Sequence, residues 1–221
     1  MRQIVLRATL LALLLGLPIW LPINSAPITT YAAAASDDAI TVLSTIEIKG
    51  RAPKTGYSRA QFPHWADLDR NGCDSRNEIL KRDLTQIVFK AGTRDCKVIG
   101  GVLQDPFSGK EIVFSTGKST IDIDHVVALS NAWQSGAAYF DKAKRTQIAN
   151  DPLNLIATDA KLNRQKGDGD AATWLPPNKP YRCEYVARQI AVKAKYSLWV
   201  TPPEQVAMLA ILNNCPGQKI P

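Results

Sequence analysis

The chain has 221 residues, of which 45% are apolar, and it carries 27 Lys and Arg against 20 Asp and Glu. This composition excludes an intrinsically disordered chain, and the length is enough to bury a core in one ordinary domain or two small ones. The formal net charge of +7 is compatible with an anionic partner such as nucleic acid or an anionic surface. It is also compatible with a charge whose only effect is to keep the protein soluble.

Residues 1–35 have the layout of a secretory signal peptide. Two arginines lie in the first seven residues, Val5 to Leu21 is nearly unbroken in apolar residues, and a run of small residues follows. The apolar stretch is short for a membrane span and contains Pro18. We predict cleavage near Ala33 to Ala35, which leaves residues 36–221 as one secreted domain with no further membrane segment. An uncleaved N-terminal anchor is the alternative.

The four cysteines agree with export, because an even number of cysteines in an exported chain is typical of disulfides. Three pairings are possible. We favour Cys73 with Cys96 and Cys183 with Cys215, since each pair closes a local loop. A zinc site is the alternative, but the cysteines are scattered and no C-x-x-C sequence is present.

Short apolar runs separated by glycines alternate with helical patterns, which predicts a single α+β domain. Helices are predicted over residues 37–46, 74–83, 131–139 and 141–148, from 158 or 159 to 167, and over 182–196 and 203–214. Strands are predicted over residues 87–89, 98–103, 112–114, 119–128 and 153–157.

The acidic segment 67–74 is interpreted as the turn that leads into a helix, with Asp74 or Ser75 as the N-cap. The segment also resembles a calcium-binding loop, in which Gly72 would be the sixth residue and Glu78 the twelfth. A helix predicted to start inside that loop argues against calcium, although this alternative stays open.

The first segment with residues suited to chemistry is the strand that contains His125. The chain has two histidines, and His64, in a Pro-His-Trp sequence, is interpreted as a packed or solvent-facing loop residue. His125 follows Asp122 and Asp124 among apolar residues, where buried charge is costly unless it is paired or binds a metal. By itself this stretch favours a functional site no more strongly than an edge strand with a solvated acidic face.

The second such segment, residues 150–167, favours a site. Asp159, Asn163 and Lys166 are spaced by four and three residues, so a helix places them on one face. Asn154 precedes the strand that leads into this helix. Oxygen donors and a lysine on one helix face, beside a strand that ends in Asp-His, suit a metal ion and a phosphate.

These residues resemble the HNH, or ββα-metal, nuclease motif. Asp124-His125, Asn154 and Asn163-x-x-Lys166 are similar to the form in which Asn replaces the final His, as in the HNH domain of RNA-guided CRISPR nucleases. A wider likeness is to secreted bacterial HNH endonucleases related to the C-terminal domain of GmrSD-type restriction enzymes. It is carried by residues 71–80, 122–127, 132–136, 150–155, 163–166 and 174–177, with Cys183.

The resemblance implies a ββα-metal core over about residues 119–167 and a metal-dependent endonuclease that hydrolyses phosphodiester bonds. His125 would be the general base, and Asn154 would tie the loop and orient that ring. Asp124 and Asn163 would hold one divalent ion. Oxygen ligands with open positions suit Mg²⁺ or Mn²⁺ better than Zn²⁺.

Other residues are expected to have supporting roles. Lys166, Arg145 and Arg76 are candidate contacts to phosphate, although each is equally well interpreted as a solvated surface cation. Asp122 and Asp159 are candidates for alternative metal ligands or for carboxylates that support the ligands.

The expected substrate is DNA, with RNA left open. No recognition helix, zinc finger or RNA-binding signature accompanies the motif, so cleavage largely without sequence preference is expected. Loss of the signal peptide removes two arginines and leaves 25 − 20 = +5, which supports contacts to the phosphate backbone. We expect a monomer. A non-catalytic exported nucleic-acid-binding protein on this scaffold is the alternative, and a cell-wall hydrolase, which needs paired carboxylates in a cleft, is a weaker one.

Overall fold

The computed structural model describes residues 37–118 and 120–221, so the expected signal peptide lies outside the described residues. The helices are α1 (Ala39–Thr45), α2 (Ser75–Asp83), α3 (Leu129–Gln134), α4 (Lys142–Asn150), α5 (Ala160–Lys166), α6 (Arg182–Tyr196) and α7 (Pro202–Leu212). The strands are β1 (Leu84–Phe89), β2 (Val98–Gln104), β3 (Glu111–Ser115), β4 (Ile121–His125) and β5 (Leu155–Asp159). Among the described residues, no helix has both the length and the apolar character that crossing a membrane requires.

The strands form two antiparallel sheets. One has three strands in the order β1-β2-β3, and the other pairs β4 with β5, with Ile121 opposite Asp159 and His125 opposite Leu155. Helix α5 follows β5 directly and packs against both strands of this pair. The mixed α/β single domain expected from the sequence is confirmed, and its second sheet brings two strands and a helix together.

Side chains, rather than a further strand, bond to the free edge of β5. Asp83 accepts a hydrogen bond from the Ala157 amide at 2.8 Å. Asp105, which is fully buried, accepts from the Asp159 amide at 3.0 Å and from the Thr158 hydroxyl at 2.8 Å. Because an unpaired buried backbone group costs free energy, these carboxylates, from the ends of α2 and β2, fix β5 in place.

The apolar core has three parts, and the chain around His125 enters all of them. Ile123 packs in the cluster between the three-stranded sheet and α2. Val126 packs in the cluster formed with α1, α6 and α7, and Val127 packs in a third cluster with α3 and α4. Core packing on three sides therefore holds the end of β4.

Both predicted disulfides are confirmed. Cys73–Cys96 joins the turn before α2 to the loop between β1 and β2, and Cys183–Cys215 joins the start of α6 to the segment after α7. The partners are 23 and 32 residues apart. Each bond is expected to stabilise the fold by about 3 kcal/mol through its effect on the unfolded chain.

Two predicted elements end earlier than expected. The strand predicted over 119–128 stops at His125 because the Val127 amide bonds to the Asn154 side chain at 2.8 Å instead of to a strand. The helix predicted over 131–139 is α3 followed by a short 3₁₀ turn. Helix α3 ends at Gln134, and the 3₁₀ turn follows Gly136, whose φ of 130° is one that residues with a side chain rarely adopt.

The acidic segment before α2 is a hydrogen-bonded turn. Asp67 accepts from the amides of Asn71 and Gly72, at 3.1 and 2.9 Å. Asp74 caps α2 through the Asn77 amide at 2.8 Å, and Glu78 lies in the first turn of that helix. The oxygens of Asp67 and Asp74 thus serve the turn and the cap, which favours the helix-entry interpretation over a calcium loop.

Candidate functional site

Three residues predicted for the site line one cavity at the end of β4. Asp124 and His125 come from the strand and Asn163 from α5, and the cavity has a volume of about 180 Å³. The other residues that line it are Tyr57, Arg59, Ile123, Ala128, Leu129, Gly167 and Asp168. The β4–β5 pair and α5 therefore bring distant parts of the sequence to one small opening.

The ring of His125 is held in one tautomer. Its Nε2 lies 2.9 Å from the carbonyl oxygen of Ala149. A carbonyl only accepts hydrogen bonds, so Nε2 carries the hydrogen and Nδ1 of the neutral ring keeps a free lone pair. The ring is 4% exposed, and the Trp65 ring lies against it with centroids 6.0 Å apart. Nδ1 is thus the nitrogen that can accept a proton.

The surroundings of His125 keep the ring neutral. Burial lowers the pKa of His125 to about 3, the hydrogen bond to Ala149 opposes that shift, and the charges of Arg59 and Lys166 and the nearby His64 lower the value further. The imidazole is therefore uncharged at neutral pH, which is the state that a general base requires.

The free energy of unfolding should depend on pH through His125. The ring titrates near 6.5 in the unfolded chain and near 3 in the folded one, so the unfolded state binds more protons between these values. Stability is therefore complete above about pH 6.5 and is lost as the pH falls towards 3. Between about pH 7.5 and about pH 5, we expect wild type to lose about 2 kcal/mol relative to His125→Gln in urea denaturation. Equal losses would show that the folded ring is not held neutral.

Asp124 is buried in an ion pair with Lys166. The Lys166 Nζ donates to Asp124 Oδ1 at 2.9 Å and to the His125 carbonyl at 2.8 Å, and the Lys166 side chain is 0% exposed. Burial raises the pKa of Asp124, and the Lys166 charge opposes that shift. The second oxygen, Oδ2, is buried and has no hydrogen-bond partner among the described residues. That atom is therefore available to a cation.

Helix α5 presents Asn163 from a segment that is fixed at both ends. Asp159 caps its start through the Leu162 amide at 2.8 Å, and Gly167 ends it. The Asn163 amide nitrogen donates to Asp122 at 3.3 Å. Because the nitrogen is used in this contact, the side-chain oxygen is the atom of Asn163 that can ligate a cation. Asp122 lies beside Asn163 and does not line the cavity.

Asn154 ties the segment after β4 to the end of α4. Its side chain is fully buried, accepts from the Val127 amide at 2.8 Å and donates to the carbonyls of Ile148, at 3.2 Å, and Val127, at 3.3 Å. Ile148 directly precedes Ala149, whose carbonyl holds His125. Asn154 thereby fixes the position of the group that orients the ring.

The candidate phosphate contacts do not line the cavity. The Arg145 guanidinium lies 5.7 Å from the centre of the Trp133 ring, and that of Arg76 lies 5.9 Å from the Trp65 ring. Lys166 lies behind the cavity wall, paired with Asp124. Contacts of these three cations to phosphate stay predictions.

Three residues with polar or ionisable side chains line the cavity and were not predicted for the site from the sequence. Tyr57 and Arg59 lie in or beside a 3₁₀ turn well before β4, and Asp168 follows α5 and pairs with Lys54 at 2.6 Å. Residues 49–65, which contain both Tyr57 and Arg59, are rich in Gly, Pro, Tyr and Arg, a composition typical of an ordered loop. No local pattern indicated that this loop would pack beside His125.

The chain is similar in sequence to a known protein family and to a known secreted protein. The C-terminal domain of GmrSD restriction endonucleases matches residues 74–211, which is more than half of the chain. A relative from the fungus Arthroderma benhamiae, named an uncharacterized secreted protein, is 38% identical over 183 residues, 82% of this chain and 86% of the relative. Its name agrees with the expected export, whereas the bacterial origin stays a prediction. No solved structure matches the chain. The chain belongs to the family of GmrSD restriction endonuclease C-terminal domains.

Proposed function

We propose that the protein is a secreted, divalent-metal-dependent endonuclease that hydrolyses phosphodiester bonds of DNA, with RNA left open, largely without sequence preference. The main support is His125, a buried, neutral imidazole with a defined tautomer in the wall of a cavity shared with Asp124 and Asn163. The restriction endonuclease family of the chain supports a phosphodiester as the substrate.

His125 is the proposed general base. Hydrolysis needs a water that loses a proton as it attacks phosphorus, and Nδ1 can accept that proton because Nε2 is bonded to Ala149. A ring with a pKa of about 3 holds a proton weakly in the free protein. An anionic phosphodiester in the cavity favours the protonated ring and so raises its pKa when the substrate is bound.

Asp124 and Asn163 are the proposed ligands of one Mg²⁺ or Mn²⁺ ion. Asp124 Oδ2 is buried without a hydrogen-bond partner in the described part of the chain, and both residues line the cavity. Residues 37–118 and 120–221 contain no group of three or more His, Cys, Asp or Glu suited to a metal. A site with only a few protein ligands suits Mg²⁺, because this ion usually keeps several of its waters. When bound, the ion supplies Lewis-acid stabilisation of the scissile phosphate and the leaving oxygen.

Plasmid cleavage in Mg²⁺, in Mn²⁺ and in EDTA tests the proposed activity. We expect cleavage with either ion and none in EDTA. Asn163→Ala should need about tenfold more metal for half-maximal cleavage, because its side-chain oxygen is lost. Asn213→Ala, an exposed amide after α7, is the matched control and should leave the metal requirement unchanged.

Three results would contradict parts of this assignment. Cleavage that persists in EDTA would remove the metal from the mechanism. An unchanged metal requirement in Asn163→Ala would remove Asn163 from the ligands. Binding of nucleic acid without cleavage under any condition would replace the enzyme by the non-catalytic binding protein.

A further inference from the structure

We propose, on the basis of the nuclease function proposed above, that Arg59 binds the substrate phosphodiester at the His125 cavity. The cavity is then an anion subsite that is completed by a segment outside the part of the chain that matches the family. Its ligand is the phosphate group of a nucleic acid backbone.

The position of Arg59 is defined by its anchored neighbours. Arg59 lines the cavity with His125 and begins the short turn Arg59–Gln61. Phe62, at the end of this turn, is fully buried, and the Tyr57 ring packs against it with centroids 6.1 Å apart. The side chain of Arg59 itself is exposed. A fixed backbone therefore presents a solvent-accessible guanidinium at the opening.

Arg59 is also the unpaired cation at this site. Three other cations near the cavity are each paired with a carboxylate: Lys54 with Asp168, Arg164 with Asp122, and Lys166 with Asp124. Within the described residues, the Arg59 side chain has no hydrogen bond and no salt bridge. A guanidinium presents donors in a planar fork that matches two phosphate oxygens. The group that suits phosphate best is thus the one left free.

The size of the cavity suits this ligand. A volume of about 180 Å³ is several times the ~30 Å³ that one water occupies in the liquid, which is room enough for a phosphate group. A phosphate there contacts the wall formed by Arg59 and the wall formed by His125. Contacts to phosphate carry no sequence information, as expected for a nuclease that does not read sequence.

Arg59 lies outside the part of the chain that matches the family. Residues 74–211 match the family and contain His125, Asp124 and Asn163, but Arg164 and Lys166 in that segment are both paired with carboxylates. The free cation comes from the loop that precedes the match. Phosphate binding and proton transfer are therefore supplied by different parts of the chain.

Binding without catalysis tests the subsite directly. Fluorescence anisotropy with a labelled short DNA duplex, in EDTA and over a series of salt concentrations, compares wild type with Arg59→Gln. We expect the affinity to fall about tenfold and the slope of log K against log salt to decrease by about one. Arg94→Gln removes the same charge from an exposed loop residue that does not line the cavity, and should change neither quantity.

Cleavage kinetics separate this inference from the proposed function. In Mg²⁺, kcat/KM of Arg59→Gln should fall by about tenfold or more, and Arg59→Lys should recover part of the loss because it keeps the charge but not the fork. If wild type cleaves DNA but Arg59→Gln has unchanged affinity, salt slope and kcat/KM, then Arg59 does not bind the phosphate. That result would leave the proposed nuclease function intact. If wild type cleaves nothing, the nuclease function fails, and the anisotropy series alone decides whether Arg59 binds phosphate.

Discussion

Replacement of His125 by Gln is expected to slow phosphodiester cleavage by about 10²–10⁴-fold while the fold is kept. A glutamine amide can still donate to the Ala149 carbonyl in place of Nε2, and it fills much of the same buried space. It cannot accept a proton from an attacking water. The measurement is the initial rate of loss of supercoiled plasmid in Mg²⁺ or Mn²⁺, with a circular dichroism spectrum to verify folding.

The other histidine of the chain provides the matched control. His64 lies in the loop before α2, with Nδ1 3.0 Å from the Phe62 carbonyl and its ring against Trp65. It does not line the cavity, so we expect His64→Gln to cleave at close to the wild-type rate. If His125→Gln also cleaves at that rate, His125 is not the general base.

Lys166→Met is expected to lower the free energy of unfolding by about 3–5 kcal/mol. The Lys166 ammonium is completely buried and bonds to both Asp124 and the His125 carbonyl. Its removal leaves a carboxylate and a carbonyl without their donor in the interior, where an uncompensated charge is costly. Urea denaturation at neutral pH measures the change.

Two further variants separate the ion pair from the helix that carries it. Lys161→Met makes the same change at an exposed position of α5 and should alter stability by less than about 0.5 kcal/mol. Asp124→Asn combined with Lys166→Met leaves no buried charge, and it should be at least about 1 kcal/mol more stable than Lys166→Met alone. A loss below about 1 kcal/mol for Lys166→Met would show that the two charges are not paired in the interior.

Local signals in the sequence predicted the elements that depend on near neighbours. Asp74 and Asp159 cap their helices and Gly167 ends α5, because capping is decided within about four residues. The two disulfides were predicted because each closes a local loop, with partners 23 and 32 residues apart. The resemblance to the HNH motif also implied that Asp124, His125 and Asn163 lie together, and they line one cavity.

Long-range packing decided what the sequence did not predict. The three-residue spacing correctly predicted that Asn163 and Lys166 lie near one another on α5. Spacing alone does not predict which side of a helix is buried against the core. In the fold Lys166 is buried against β4, and Asp159 is a cap. Arg59 lies at the site because its turn is anchored by Phe62, which packs in the third core cluster. The residues next to Arg59 in the sequence do not indicate this packing.

The two carboxylates on the edge of β5 have a consequence for the order in which the candidate site forms. Asp83 and Asp105 come from outside the β4–β5 pair, and even two strands joined by a tight turn are marginally stable at best in water on their own. The strand pair that carries His125 is therefore expected to form cooperatively with the rest of the domain rather than ahead of it. The side chains of the candidate site, His125, Asp124 and Asn163, would then come together only when the whole domain folds.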